Sequence, residues 1–127
     1  MVESRQSSDF PMSETVSKPK HIARRFPRYP LDIRVSVHVF REGKTSSFWG
    51  RSTEFGADGI SATLTGELQT GEVVSMELSL PAVSVPLKLR AIVRYHQGLR
   101  HGFEFLARSA EQSEAIRQLC ETMAARE

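Results

Sequence analysis

The sequence predicts an all-β fold, a six-stranded antiparallel β-barrel with a C-terminal α-helix. Three observations carry this. Short stretches between residues 31 and 105 alternate apolar and polar side chains with the period of two that half-buried strands require. Turns containing glycine or proline separate these stretches at hairpin spacing. Beyond residue 108 the apolar period changes to 3.6, that of a helix. Closing the short strands into a barrel leaves no exposed edge.

Ile33, Val35, Val37 and Val39 alternate with Arg34, Ser36, His38 and Phe40, which describes the first strand. Glu42-Gly43-Lys44 is a turn. Phe48 to Phe55 forms the second strand and Ile60 to Leu64 the third. They are joined by Gly56-Ala57-Asp58-Gly59, a tight connection whose glycines can take positive φ. Gly71 opens the fourth strand, with Val74, Met76, Leu78 and Leu80 on one face, and Pro81 and Pro86 bracket a loop. In the fifth, Leu87, Leu89, Ala91, Val93 and Tyr95 point inward while Lys88, Arg90 and Arg94 point out. Gln97-Gly98 turns the chain into the sixth, which carries Phe103 and Phe105. Ser109 as N-cap and Gln112 three positions on form a capping box. Ile116, Leu119, Cys120 and Met123 then line one face of a helix over residues 110–125, laid on the barrel.

A chain of 127 residues makes one domain. With 39% hydrophobic and 25% charged residues it builds a core without metal or disulfide support. Residues 1–20, rich in serine, proline and charge without period, are expected to be a flexible tail, and residues 21–127 the barrel domain with its helix. No apolar run reaches the roughly 18–20 residues of a membrane span, and the N-terminus has no apolar stretch of a secretory signal. A cytoplasmic protein is expected. A single cysteine, Cys120, excludes an internal disulfide and any multi-cysteine zinc site. Charge is uneven: residues 1–28 hold six basic against three acidic side chains, the remainder eleven against twelve. A basic arm on a near-neutral body fits an anionic partner, although charge alone describes a hydrated linker equally well.

Catalytic patterns are missing. Cys120 lies on the apolar helix stripe, as a packed thiol does. His21, His38, His96 and His101 have no metal-ligand spacing and are expected at the surface. Glu54 and Asp58, four apart in a turn, do not make an acid–base pair, and no phosphate-cradling loop or nucleophile elbow occurs. The expectation is a protein that is not an enzyme and holds no metal or cofactor. Trp49, Phe48 and Phe55 could serve a nucleic-acid binder as stacking platforms, but the near-neutral body gives little groove to track a strand. Trp49 is assigned instead to core or rim packing.

Two stretches remain. In Arg24-Arg25-Phe26-Pro27-Arg28-Tyr29-Pro30 the prolines hold three guanidiniums on an extended segment, where they can grip phosphate or read a guanine edge. Glu54-Phe55-Gly56-Ala57-Asp58-Gly59-Ile60, alone, is a glycine-containing turn. Together and in this order they resemble the PilZ family, marked by R-x-x-x-R before the first strand and D/N-x-S-x-x-G about 25–30 residues later. Gly102-Phe103-Glu104-Phe105 and the terminal helix are also similar, and the resemblance covers residues 24–125.

The resemblance implies a barrel of the split type and a receptor for the bacterial second messenger cyclic di-GMP. It places the family arginines on Arg24 and Arg28, with Arg25 an extra cation, and the turn motif on Glu54, Gly56 and Gly59. In the family the arginines hold phosphates and guanine faces, and the turn residues contact guanine polar groups. Glu54 keeps the carboxylate one methylene further out, and Gly56 lacks the serine hydroxyl. One neutral hydrogen bond is worth about 0.5–1.5 kcal/mol, so binding weakened about tenfold is implied, with water in the hydroxyl's place. The arm through Arg28 is expected to be mobile alone and to fold over the bound dinucleotide, exposing a surface to a downstream protein. Alternatives are a related interaction adaptor without nucleotide, or a non-specific nucleic-acid-binding small barrel.

Overall fold

The structure, a computed structural model, describes residues 26–81 and 83–126. The tail expected over residues 1–20, His21, and the arginines Arg24 and Arg25 lie outside the described residues. In chain order the elements are β1 (Arg28–Pro30), β2 (Arg34–Arg41), β3 (Lys44–Gly56), β4 (Gly59–Leu64), β5 (Val73–Leu78), β6 (Leu87–Gln97), β7 (Arg100–Phe105) and α1 (Ala110–Ala125). Hydrogen bonding follows the order β1-β3-β2-β5-β6-β7-β4, and β4 returns to β3. Strands β2 to β7 therefore close a six-stranded antiparallel barrel, to which β1 adds a short seventh strand along the far end of β3.

The alternation read from the sequence decides the barrel's inside. Val35, Val37, Val74, Met76, Leu78, Ala91, Val93 and Phe103 are almost wholly buried, since opposite faces of a strand alternate residue by residue. Strand β3 begins at Lys44 rather than Phe48. Glu42 (φ 50°) and Gly43 (φ 78°) both adopt positive φ in a two-residue turn, so pairing starts at once with Arg41 opposite Lys44.

Two bulges change which residues face inward. Between Val93 and Tyr95 the β6–β7 register shifts, which turns Tyr95 outward against expectation and leaves it 45% exposed. Its ring covers Gly102, where an added Cβ would stand 2.0 Å from the ring, and its hydroxyl meets Ser61 Oγ at 3.0 Å. A second shift between Ser52 and Glu54 lets both Ser52 and Phe55 point inward.

Two further expectations are corrected. Trp49 is 48% exposed on the outer sheet face rather than packed, with the Arg34 guanidinium 4.7 Å above its ring. His101 is not a surface histidine but fully buried, between Leu68 and Leu99, with His96 stacked on its ring at 5.7 Å. His38 does lie on the outer face, 2.8 Å from Ser47 Oγ.

Helix α1 carries the capping box: Gln112 N–H donates to Ser109 Oγ at 3.1 Å and Ser109 N–H to Gln112 Oε1 at 2.7 Å. The same Gln112 donates from Nε2 to Lys88 O at 2.6 Å, tying the helix start to β6. Ile116, Leu119 and Met123 bury themselves on the barrel and Cys120 packs half-buried beside them. Ser109→Ala is expected to cost about 1 kcal/mol, read as a lower urea midpoint at unchanged slope; an unshifted midpoint would show the cap to be redundant.

Candidate functional site

Arg28 is placed by backbone pairing. In β1, Arg28 stands opposite Gly56, Tyr29 opposite Phe55 and Pro30 opposite Glu54. Opposed residues of an antiparallel pair share a face, so Arg28, Gly56 and half-buried Glu54 lie together on one side while Tyr29 turns the other way onto the core. The link from β1 to β2 is held by Ser52. Its hydroxyl donates to Leu31 O and accepts from Ile33 N–H at 3.0 Å, while its own amide reaches Ile33 O at 2.9 Å. The segment from Arg28 is thus held on the barrel in this structure, with Tyr29 packed on the core and β1 hydrogen-bonded to β3.

The Arg28 side chain lies along the Gly56–Gly59 turn. Neither glycine has positive φ; both are needed for space. A Cβ at Gly56 would stand 2.6 Å from Arg28 Cδ and 2.8 Å from Pro27 O. One at Gly59 would stand 2.1 Å from Phe103 O and 3.2 Å from Arg28 Nη2. The room expected for water beside Gly56 is therefore filled by the arginine itself. At its end Arg28 Nε meets Asp58 Oδ1 at 3.3 Å, with side-chain exposures of 15% and 35%. Both atoms are shut off from solvent and lack a hydrogen bond.

The structure thus brings Arg28, Glu54, Gly56 and Gly59 together and adds Asp58, which sequence reasoning weighed only as an acid–base partner and set aside. The missed signal was electrostatic: a carboxylate in the turn that faces the cationic strand. On the other side of β1, a groove of about 380 Å³ runs between Phe26, Tyr29, Ala57, Ile116, Cys120 and Ala124. Burial, with the negative Asp58 nearby, pushes the Cys120 thiol above its ordinary range, away from nucleophilic use. Among the described residues no cluster of three His, Cys, Asp or Glu side chains could hold a metal, and no helix is long and apolar enough to cross a membrane.

A family model described as the PilZ domain matches residues 23–122. No curated protein sequence matches the chain. Among solved structures, the PilZ domain of CeSA from a cellulose-synthesizing bacterium is similar at 19% identity and TM-score 0.58, covering 73% of this chain and 93% of that one. The PilZ domain of YcgR from Escherichia coli, solved with c-di-GMP, is similar at 16% identity and TM-score 0.65, over 81% and 92%. The Bacillus subtilis inhibitor of motility MotI/DgrA matches at 18% identity and TM-score 0.64; 84% of this chain is covered but only 53% of that protein. At such identities the structural likeness speaks for the fold, a closed barrel with a terminal helix. Matched by the family model over most of its length, with the barrel, the arginine-bearing first strand and the glycine turn in place, the chain belongs to the PilZ domain family.

Proposed function

We propose that this chain is a non-catalytic, cytoplasmic receptor for cyclic di-GMP in bacterial signalling, with Arg24, Arg25, Arg28, Glu54, Gly56 and Gly59 forming the binding face. The observation that carries the reading is Arg28: a cation delivered by strand pairing onto the glycine turn, with Glu54 on the same face. A guanidinium can pair bidentately with phosphate and stack on a guanine face, and the twofold, doubly anionic dinucleotide offers both. The Glu54 carboxylate accepts hydrogen bonds, which suits guanine N–H donors. The PilZ domain of YcgR, a structural neighbour, was solved with this ligand. The receptor's output passes to a downstream protein through the surface that forms around the bound dinucleotide.

Calorimetric titration with cyclic di-GMP at moderate salt tests the proposal. Saturable binding in the micromolar range or tighter is expected, with linear GMP failing to compete. Arg28→Ala is expected to weaken it at least about tenfold, the loss of one charge-assisted contact, while the barrel's circular dichroism stays unchanged. No heat from the wild-type protein, or equal affinity in the variant, overturns the reading. Steep salt dependence with any polynucleotide would replace it by nucleic-acid binding.

A further inference from the structure

We infer that Asp58 and Gly56 hold Arg28 in a parked position, so that Asp58 competes with an anionic ligand for the guanidinium and sets the affinity of the site. The inference rests on the receptor reading for its ligand, but the parked pair is a property of the chain alone. Three observations support it. Arg28 Nε and Asp58 Oδ1 are 3.3 Å apart, within ion-pair range. Both atoms are buried, yet neither has a hydrogen bond, so the contact is electrostatic and poorly aligned. The aliphatic stem of Arg28 occupies the place of a side chain at position 56, where a Cβ would approach its Cδ to 2.6 Å. Glycine at 56 is what lets the arginine lie flat on the turn.

The consequence follows from competition. A phosphate of the ligand carries the same charge as Asp58 and can offer two aligned oxygens instead of one misaligned one. Binding therefore exchanges one anion for another at Arg28, and the Arg28–Asp58 contact is subtracted from the ligand's gain. The apparent dissociation constant is the intrinsic one divided by the fraction of molecules with Arg28 free. Asp58 is the side chain able to yield: it is a third exposed, on a two-residue link between β3 and β4. Once displaced, its carboxylate returns to water without unpairing a strand.

Asp58→Asn tests this, because it keeps the shape of the turn and removes the charge. In the absence of nucleotide, an arginine-selective dicarbonyl reagent is applied and modification is followed by mass spectrometry. Arg28 is expected to react several-fold faster in the variant. Arg51, which is paired with Asp32 at 2.8 Å, should keep its wild-type rate as an internal reference. An unchanged Arg28 rate overturns the parked pair. In calorimetry with cyclic di-GMP, the variant is expected to bind about two- to fivefold more tightly, as release of one partly exposed ion pair allows. Equal or weaker binding overturns the competition, since a merely structural Asp58 would weaken binding when removed. If neither protein binds the nucleotide while Arg28 becomes reactive in the variant, the receptor reading fails and the parked pair stands.

Discussion

Gly59→Ala is expected to lower the stability of the barrel by about 3 kcal/mol, the upper end of what overpacking a rigid site costs. The added methyl would meet Phe103 O at 2.1 Å. That oxygen belongs to the backbone of β7, which is registered residue by residue against β4 with Ile60 opposite Phe103. A carbonyl in a closed barrel cannot rotate aside as a side chain can, so the two strands must part. Gly50→Ala is a parallel case on the other edge of β4, where the methyl would meet Thr63 O at 1.8 Å. For a domain whose whole stability is about 5–15 kcal/mol, either loss is large. Urea unfolding of both variants measures it. Midpoints within error of the wild type would mean that β4 parts from its neighbours at little cost.

Acid is expected to weaken the fold through His101. Leu68 N–H donates to its Nε2 at 2.9 Å, and its Nδ1 lies 2.8 Å from Leu99 O. With an N–H pointing at Nε2, the neutral ring with its proton on Nδ1 is the form that satisfies both partners. Burial holds the His101 pKa below the ordinary histidine value, and the His96 ring adds to the effect. The Leu99 carbonyl and the Glu67 carboxylate oppose the shift but do not cancel it. The folded state therefore resists a proton that the unfolded chain accepts near pH 6.5. Stability is complete above that value and falls as the pH drops below it, by at most about 1.4 kcal/mol per pH unit for one proton. His101→Phe removes the titration but leaves Leu68 N–H without an acceptor, at a cost of about 1–3 kcal/mol at neutral pH. Urea titrations between pH 7.5 and 5 should show a lower but flatter stability curve in the variant. An equally steep fall in both proteins would clear His101 of the role.

Much of the candidate site was legible because the motif residues are close in sequence to the strands that present them. Glu54, Gly56 and Gly59 lie on or beside one hairpin, and Arg28 sits one short strand away. What could not be read was the reason for each. Gly56 and Gly59 look like residues chosen for positive φ, yet their conformations are ordinary and the constraint is the close approach of Arg28 and of the Phe103 carbonyl. Ser52 is another hidden part: nothing local to β3 marks it, and only the approach of the β1–β2 link shows it holding Leu31 to Ile33.

By itself the sequence determined the barrel's elements and the capped helix. Alternation of side chains and a capping box are local: apolar residues two apart must share a face, and Ser109 and Gln112 meet within one helical turn. The tertiary structure decided what lies across from what. A one-residue shift between β6 and β7 turned Tyr95 out, and the closure of β4 on β7 left Gly59 no space for a side chain. The pairing of β1 with β3 laid Arg28 against Asp58, thirty residues further along the chain. Such contacts depend on which strands distant in sequence come to lie side by side and where a bulge interrupts their pairing, and alternation within one strand specifies neither.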